Sequence, residues 1–379
     1  MGKPLAIIAS DLHLKPRTWK HRQIVGDSYF AWDQVVSGAI EFEVSHVILA
    51  GDLLDRQLNG SEPIIKLKEG LDRLEKAGIT TLFIQGQHEY QESPWASLSG
   101  SIHLHGHEPV TVGPFKVFGI DYQSKEELLP AIGALSIVES DRNILVMHQV
   151  WQDWMGERAL PQGKFEDVLN ATPALEVLIT GDLHEQKLED HANDSGSQMS
   201  VLSPGSTCVQ SIAEPLEKFF YVLRDDDHSA AFLPVPIKSR PIFRYPTVLE
   251  TVEDVEAALA RVEDDYEVAF QLADSNKLPE DLCTPIFQYV YSHEVAADVG
   301  RLEKRLDDRV HLFWKEIPDK SDKFVEAFTA GVSVTMKDVL REQVEEGKTR
   351  DLAERLLVSP DPVEELLRWR REKAKQEVQ

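Results

Sequence analysis

Polar side chains that can bind metal ions follow short apolar runs at five places in this chain. The runs are aliphatic and β-branched, which is typical of buried β-strands, and they cover residues 5–9, 47–50, 81–84, 144–147 and 177–180. The polar residues after them are Asp11, His13, Asp52, Gln87, His88, His148, Asp182 and His184. Open α/β sheets bind ligands at the carboxyl ends of their strands. The series therefore predicts an α/β fold with these side chains gathered at one edge.

The spacing within the series predicts which side chains act together. Side chains alternate along a strand, so Asp11 and His13, two residues apart, are expected to point to the same side, as are Asp182 and His184. A glycine precedes Asp52, so the chain can turn sharply and bring that carboxylate between two cations. Mixed oxygen and nitrogen ligands suit Mn²⁺, Fe or Zn²⁺. Because a metal pair can activate water against a phosphate ester, the pattern predicts a two-metal phosphoesterase.

Composition limits the class of protein. A chain of 379 residues that is 42% hydrophobic can bury a sizeable core and is expected to contain more than one domain. Its two cysteines, Cys208 and Cys283, form no CxxC pattern, which argues against a disulfide framework or a zinc–thiolate site. The first apolar run is too short for a signal peptide, and no run is long enough for a membrane span. We therefore expect a cytoplasmic protein in a reducing compartment, without membrane association.

The net charge of −25 argues against a protein that grips a phosphate backbone with its whole surface. Either the substrate is small, or a local basic patch or a partner protein supplies the positive charge that attracts a phosphate backbone. One basic loop follows the first ligands, and its candidate contacts with DNA are Lys15, Arg17, Trp19, Lys20 and Arg22. Trp19 could stack on a base. The alternative is that this stretch is an ordinary solvated loop.

Three regions follow one another along the chain. Strand-like runs alternate with helical stretches to about residue 185, more strands follow, and four prolines between residues 234 and 246 indicate a boundary. Residues 252–315 have an α-β-α-β pattern. Charged helices with an apolar stripe follow, and they either dock onto a partner or pack back on this chain. We expect domains at residues 1–240 and 245–320 and a helical segment at 325–379.

The polar motifs resemble those of the calcineurin-like metallophosphoesterase superfamily, whose pattern is DxH, GDxxD, GNH(D/E), a lone His and GHxH. Within it the chain looks most like SbcD-type nuclease subunits, which pair with a coiled-coil ATPase of the SbcC or Rad type. The segment at residues 203–207 also resembles that subfamily. The resemblance implies an α/β fold with a four-layer-type metallophosphoesterase β-sandwich flanked by helices. It further implies a small α+β capping domain that binds DNA, a C-terminal helical segment that binds the ATPase, and a homodimer within a heterotetramer.

The resemblance also implies roles for single residues. His88 takes the place of the catalytic histidine that contacts the scissile phosphate and helps the leaving oxygen depart. Asp55 and Glu89 take places from which they would orient ligands through hydrogen bonds. One metal ion would be held by Asp11, His13, Asp52 and His184. The other would be held by Asp52, Gln87, His148 and Asp182.

Two positions depart from the superfamily pattern. Gln87 stands where the pattern has Asn, and Asp182 stands where it has the first His of GHxH. Both keep an atom that can bind a metal. Asp182 adds a carboxylate to those of Asp11 and Asp52, which favours two divalent ions of the Mn²⁺ type, with Mg²⁺ as the alternative.

Three functions are compatible with these features. The first is a metal-dependent DNA exonuclease and endonuclease that works with the ATPase in DNA end processing, recombination and repair. The second is a stand-alone nucleotide phosphodiesterase or phosphatase, which would need neither a capping domain nor a docking segment. The third is a catalytically weakened scaffold for the ATPase, which the changes at Gln87 and Asp182 keep open.

Overall fold

The computed structural model describes residues 2–19, 24–155, 163–211, 214–226, 229–302 and 310–317. Lys20, Arg22 and the helical segment expected at 325–379 lie outside these residues. The chain divides into two compact units. The described residues of the first fall within Met1–Phe243, Val262–Gln288 and Asp308–His311, and those of the second within Arg244–Arg261, Tyr289–Asp307 and Leu312–Gln379.

The regular elements of the described residues alternate between strand and helix in the first half and are richer in strand afterwards. The strands are β1 (Pro4–Ala9), β2 (His46–Ala50), β3 (Thr80–Ile84), β4 (Ile102–His103), β5 (Val110–Val112), β6 (Phe115–Gly119), β7 (Arg142–His148), β8 (Leu175–Gly181), β9 (Lys187–Ala192), β10 (Gln198–Ser203), β11 (Lys218–Asp226), β12 (Ser229–Ile237), β13 (Ile242–Leu249), β14 (Ile286–Ser292) and β15 (His311–Ile317). The helices are α1 (Asp27–Glu41), α2 (Ser61–Lys76), α3 (Lys125–Gly133), α4 (Gln152–Met155), α5 (Phe165–Ala171), α6 (Val252–Ser275), α7 (Glu280–Cys283) and α8 (Ala296–Leu302). Short 3₁₀ turns lie at Trp95–Leu98 and His293–Val295.

Two six-stranded sheets carry the strands that precede the polar motifs. The first has the order β12-β11-β1-β2-β3-β4, with β1 to β4 parallel and β11 and β12 antiparallel. The second has the order β5-β6-β7-β8-β10-β9, in which β6, β7, β8 and β10 are parallel. The carboxyl ends of β1, β2 and β3 therefore lie at one edge of the first sheet, and those of β7 and β8 at one edge of the second.

The core has three layers of apolar contact, because successive side chains of each strand face opposite sides. Between the sheets, Ile8 and Ile48 of the first pack in one cluster with Ile144 and Val177 of the second. On the outer face of the first sheet, residues such as Ile7 and Val47 pack with side chains of α1 and α2. On the outer face of the second, residues such as Leu145 pack with side chains of α3 and α5. The order helix, sheet, sheet, helix confirms the predicted four-layer α/β sandwich.

The predicted elements of this region are confirmed within a few residues. All five apolar runs form strands, and helical stretches such as α2 alternate with them. The first two of the boundary prolines, Pro234 and Pro236, lie inside β12 rather than between elements. This strand is at the edge of the sheet, where the missing N–H group of proline is tolerated.

The α-β-α-β pattern expected at residues 252–315 is also found. It corresponds to α6, β14, α8 and β15. With β13, these strands form a three-stranded sheet of order β13-β14-β15. The assignment of this region as a capping domain remains a prediction. Within the described residues, every helix is too short or too polar to cross a membrane.

Candidate metal centre

His148 is the last residue of β7, and the other predicted ligands stand in loops after the strands, several of which have left-handed backbone. Asp11, His13, Asp52 and Asp182 have φ values of 50°, 42°, 52° and 84°. Non-glycine residues rarely adopt positive φ, and such residues cluster at functional sites. Strand β1 ends at Ala9, before Asp11, so the expectation that alternation along a strand aligns Asp11 with His13 was wrong. The turned loops bring these side chains together instead.

Glycines make room for the ligands. Gly51, which precedes Asp52, has φ of +86°, so the sharp turn expected there is confirmed. A Cβ atom at Gly86 would lie 2.0 Å from Asp52 Oδ1. No side chain larger than hydrogen is therefore compatible with the observed position of this carboxylate.

Asp52 lies at the centre of the cluster and is 1% exposed. Its Oδ2 atom is 3.3 Å from His148 Nε2, 3.6 Å from His13 Nε2 and 3.8 Å from His88 Nε2. A single carboxylate thus lies within 3.8 Å of histidines from three separate segments of the chain. This geometry is the one needed for a carboxylate shared by two cations.

One group of potential ligands lies on one side of Asp52. His13 Nε2 is 3.1 Å from His184 Nε2, and these atoms are 3.8 Å and 3.6 Å from Asp11 Oδ1. The ligand atoms of Asp11, His13 and His184 lie within 4.8 Å of one another. Two imidazole nitrogens and a carboxylate oxygen at such distances can bind one cation.

The other group contains the positions that depart from the superfamily pattern. The ligand atoms of Asp11, Asp52 and His148 lie within 4.8 Å of one another, and Asp182 Oδ1 is 4.0 Å from His148 Nε2. Gln87 Nε2 donates a hydrogen bond to Asp182 Oδ1. The backbone N–H of Asp182 is 3.3 Å from Asp11 Oδ1. All the predicted ligands therefore converge in one cluster.

Unsatisfied buried atoms test whether this cluster suits cations. His148 Nε2 and Gln87 Oε1 are buried and have no hydrogen-bond partner among the described residues. In the neutral ring, donation from His148 Nδ1 to the carbonyl oxygen of Ala50 at 2.8 Å leaves the lone pair on Nε2. Buried polar atoms without a partner cost free energy. Two of them beside Asp52 and Asp182 fit a site that holds metal ions.

The charges of the cluster favour added positive charge. Burial raises the pKa of Asp11 to about 6. Burial opposes ionisation of Asp52 too, but His148 outweighs it and holds the Asp52 pKa below its usual range. Burial also disfavours charge on His148, yet Asp52 raises the His148 pKa to about 10. A cation can take the place of the proton that the carboxylates attract to His148.

The pKa of His13 is shifted in the opposite direction to that of His148. Burial lowers its pKa to about 3, and the neighbouring His184 and Lys15 add to this effect, so the opposing charge of Asp52 is outweighed. The ring is therefore neutral at neutral pH. A neutral imidazole is the form that binds a metal ion.

His88, Asp55 and Glu89 surround the cluster. The side chain of His88 is 48% exposed, and its backbone N–H donates to Asp52 Oδ1 at 3.1 Å. Asp55 Oδ1 lies 3.7 Å from His13 Nδ1 and 2.6 Å from Lys15 Nζ. Glu89 is buried, and its Oε2 accepts from the backbone N–H of Leu54 at 2.7 Å. Glu89 therefore contacts the loop that carries Asp52 and Asp55.

The basic loop is only partly described. Lys15 is half-buried and paired with Asp55, whereas Arg17 is exposed. Trp19 is half-buried, and its Nε1 donates to the carbonyl oxygen of Val209 at 2.9 Å. Its indole therefore anchors this loop to another loop of the same unit. A stacking role for Trp19 remains a prediction.

Sequence patterns did not point to Glu214 and Lys218, which lie beside the cluster. Glu214 Oε1 is 2.9 Å from His184 Nδ1, and Lys218 Nζ is 2.9 Å from Glu214 Oε2. Burial disfavours the carboxylate, but the hydrogen bond from His184 and the charge of Lys218 lower the pKa of Glu214 to about 2. Glu214 is separated from His184 by 30 residues, so no local spacing connects them. The segment at residues 203–207, which precedes Glu214, was the nearest signal.

Sequence comparison identifies relatives of this chain among DNA double-strand break repair proteins. No family model matches it. The protein Mre11 of Methanosarcina mazei is 30% identical over 197 residues, which cover 49% of this chain and 31% of that protein. Mre11 of Haloferax volcanii is 24% identical over 315 residues, which cover 79% and 67%. Mre11 is the SbcD homologue, so the resemblance expected from the motifs is confirmed. The chain spans 31% of the length of its Methanosarcina relatives.

Solved structures give a weaker likeness. The protein TT1561 of Thermus thermophilus has a TM-score of 0.42 and 12% identity, and the match covers 62% of this chain and 99% of that one. A dimetal phosphatase from Danio rerio has a TM-score of 0.41 and 12% identity, and the match covers 63% and 100%. At these values the likeness carries no information on function.

Proposed function

We propose that this chain, a relative of the Mre11 repair proteins, is a metal-dependent DNA nuclease subunit. It would hydrolyse phosphodiester bonds in DNA, as an exonuclease with an endonucleolytic mode, during end processing, recombination and repair. The observation that carries the proposal is the convergence on Asp52, whose Oδ2 lies within 3.8 Å of His13, His88 and His148. DNA is the proposed substrate because the relatives are DNA double-strand break repair proteins.

The cluster would hold two divalent cations. Asp11, His13 and His184 would bind one, and Gln87, His148 and Asp182 the other, with Asp52 shared between them. When bound, such a pair supplies Lewis acidity for in-line displacement at phosphorus. The carboxylates of Asp11, Asp52 and Asp182 support Mn²⁺, with Mg²⁺ as the alternative, because oxygen ligands suit these hard ions.

His88 is proposed as the catalytic histidine. Among the cluster's histidines it is the most exposed, so its ring can reach a bound phosphodiester. Its backbone N–H, bound to Asp52 Oδ1, fixes the loop beside the shared carboxylate. From this position its Nε2 could donate a proton to the departing oxygen, the role of a general acid.

The proposed partners are DNA and a coiled-coil ATPase of the Rad50 type. A net charge of −25 supports a partner that provides much of the grip on DNA, with Lys15 and Arg17 as local contacts of this chain. Residues 245–320 would cap the DNA. The segment at 325–379 would bind the ATPase, and two copies of this chain would form a homodimer within a heterotetramer.

Replacement of His88 separates catalysis from metal binding. His88→Ala is expected to lower Mn²⁺-dependent digestion of linear duplex DNA, assayed with the cognate ATPase, by at least about 100-fold while Mn²⁺ binding persists. His107→Ala, which changes an exposed histidine outside the cluster, is the matched control. Intact DNA alongside hydrolysis of a small aryl phosphodiester would favour the stand-alone phosphodiesterase. Inactivity on both substrates without bound metal would favour the scaffold.

The ATPase contact has a separate test. Deletion of residues 336–379 is expected to abolish co-purification with the ATPase and to spare hydrolysis of a small aryl phosphodiester. Co-purification of the shortened chain would refute the docking role.

A further inference from the structure

We infer that Glu214, held by Lys218, is the positioning residue of His184. This inference rests on the proposed metal centre and extends it to residues that no motif contains. His184 Nδ1 lies 2.9 Å from Glu214 Oε1. An imidazole that donates its hydrogen from Nδ1 keeps the lone pair on Nε2. The contact with Glu214 therefore selects the tautomer of His184 that can bind a cation.

The contact also sets the direction of the ring. His184 Nε2 points into the cluster, 3.1 Å from His13 Nε2 and 3.6 Å from Asp11 Oδ1. Rotation of the ring about its bond to Cβ would break the hydrogen bond to Glu214. The carboxylate therefore keeps the lone pair of Nε2 directed at the atoms of the first ligand group.

Glu214 is itself fixed through its second oxygen. Oε2 lies 2.9 Å from Lys218 Nζ, 3.0 Å from Ser206 Oγ and 3.0 Å from the backbone N of Gln210. Both oxygens are thus engaged, and the carboxylate has one orientation. This arrangement matches the known use of a carboxylate to orient a metal-binding histidine.

Lys218 links this carboxylate to the backbone of the ligand. Its side chain is 0% exposed, and its Nζ also donates to the carbonyl oxygen of His184 at 3.2 Å and to Ser206 Oγ at 2.8 Å. A buried ammonium group without a partner is strongly destabilising. Here the ammonium group of Lys218 balances the charge of the Glu214 carboxylate, which orients His184. The same ammonium group holds both the main chain of His184 and the acceptor of its ring.

Mn²⁺ binding tests the inference apart from catalysis. Calorimetric titration and low-temperature electron paramagnetic resonance would count the ions and distinguish a spin-coupled pair from single ions. Glu214→Ala is expected to weaken one of two sites by roughly 10- to 100-fold and to replace the coupled spectrum with that of single ions. Glu214→Gln keeps an oxygen acceptor for Nδ1 and should regain most of the affinity. Glu217→Ala, an exposed glutamate in the same loop, is the matched control.

Two further variants keep the test decisive if Glu214→Ala fails to fold. Glu214→Asp retains the charge opposite Lys218 but shortens the reach to Nδ1, and it should weaken the same site. Lys218→Met should weaken it by less. Wild-type Mn²⁺ affinity in folded Glu214→Ala or Glu214→Asp, or no recovery in Glu214→Gln, would overturn the inference and leave the metal centre standing. A wild-type protein that binds no Mn²⁺ would overturn both.

Discussion

Gln87 Nε2 donates a hydrogen bond to Asp182 Oδ1, and these are the two ligand positions at which the chain departs from the superfamily pattern. The longer amide of Gln87, compared with Asn, reaches a carboxylate that is shorter than an imidazole. The other amide atom, Oε1, has no hydrogen-bond partner among the described residues and is free to bind a cation. The two departures compensate each other, which supports an intact site rather than a decayed one.

This compensation predicts that the two positions are energetically coupled. Gln87→Asn and Asp182→His, made singly, should each weaken Mn²⁺ binding at the site they share by roughly tenfold, because each breaks the hydrogen bond. The double variant should recover part of the loss, with a coupling energy of about 0.5–3 kcal/mol. Calorimetric titration of the single and double variants gives this energy. Strictly additive losses would show that the positions are independent.

Asp182 is also expected to influence the choice of metal. Imidazole suits Zn²⁺, whereas carboxylate suits Mn²⁺ and Mg²⁺. Asp182→His should therefore shift the ratio of affinities towards Zn²⁺, measured by competition between Zn²⁺ and Mn²⁺. Asp194→His, which adds a histidine at an exposed turn, controls for nonspecific Zn²⁺ binding. An unchanged ratio would remove Asp182 from the ligands.

The close approach of Gly86 to Asp52 predicts a severe effect of a single methyl group. Gly86→Ala would place Cβ 2.0 Å from Asp52 Oδ1, so the loop or the carboxylate must move. We expect loss of bound metal and destabilisation by about 1–3 kcal/mol, measured by elemental analysis and thermal unfolding. Gly133→Ala has open space around its Cβ and should change neither quantity appreciably. Normal metal content in Gly86→Ala would contradict the observed geometry.

Mn²⁺ should stabilise the folded protein through Asp52. A cation at 100-fold excess over its Kd adds about 2.7 kcal/mol per site, provided that it does not bind the unfolded chain. Chelation should therefore lower the Tm, and Mn²⁺ should restore it. In Asp52→Asn most of this increment should disappear, since the shared negative charge is lost, whereas Asp194→Asn should retain it. Equal Mn²⁺ responses in both variants would exclude Asp52 as the shared ligand.

Sequence reasoning predicted the part of the site that local patterns encode. Each apolar run ends next to a polar motif, and the carboxyl ends of parallel strands are where such sheets bind ligands, so a cluster of these side chains could be predicted. The four-layer sandwich was predicted from the resemblance to the metallophosphoesterase superfamily. The proposed alignment of Asp11 with His13 was wrong in its cause, since left-handed loops rather than strand alternation bring them together.

Local sequence patterns could not predict contacts between distant parts of the chain. The pairing of Gln87 with Asp182 joins loops of two different sheets, and it depends on side-chain lengths that only packing defines. Glu214 and Lys218 belong to no motif, and in sequence they read as surface charges. Their burial beside His184 becomes visible only when β10 and β11 are placed in their sheets.

Anomalous scattering from a Mn²⁺-soaked crystal tests the central claim most directly. We expect two peaks a few ångströms apart, one beside Asp11, His13 and His184 and the other beside His148 and Asp182, with Asp52 in contact with both. No peak among these residues, or a single peak that Asp52 does not touch, would contradict a two-metal centre.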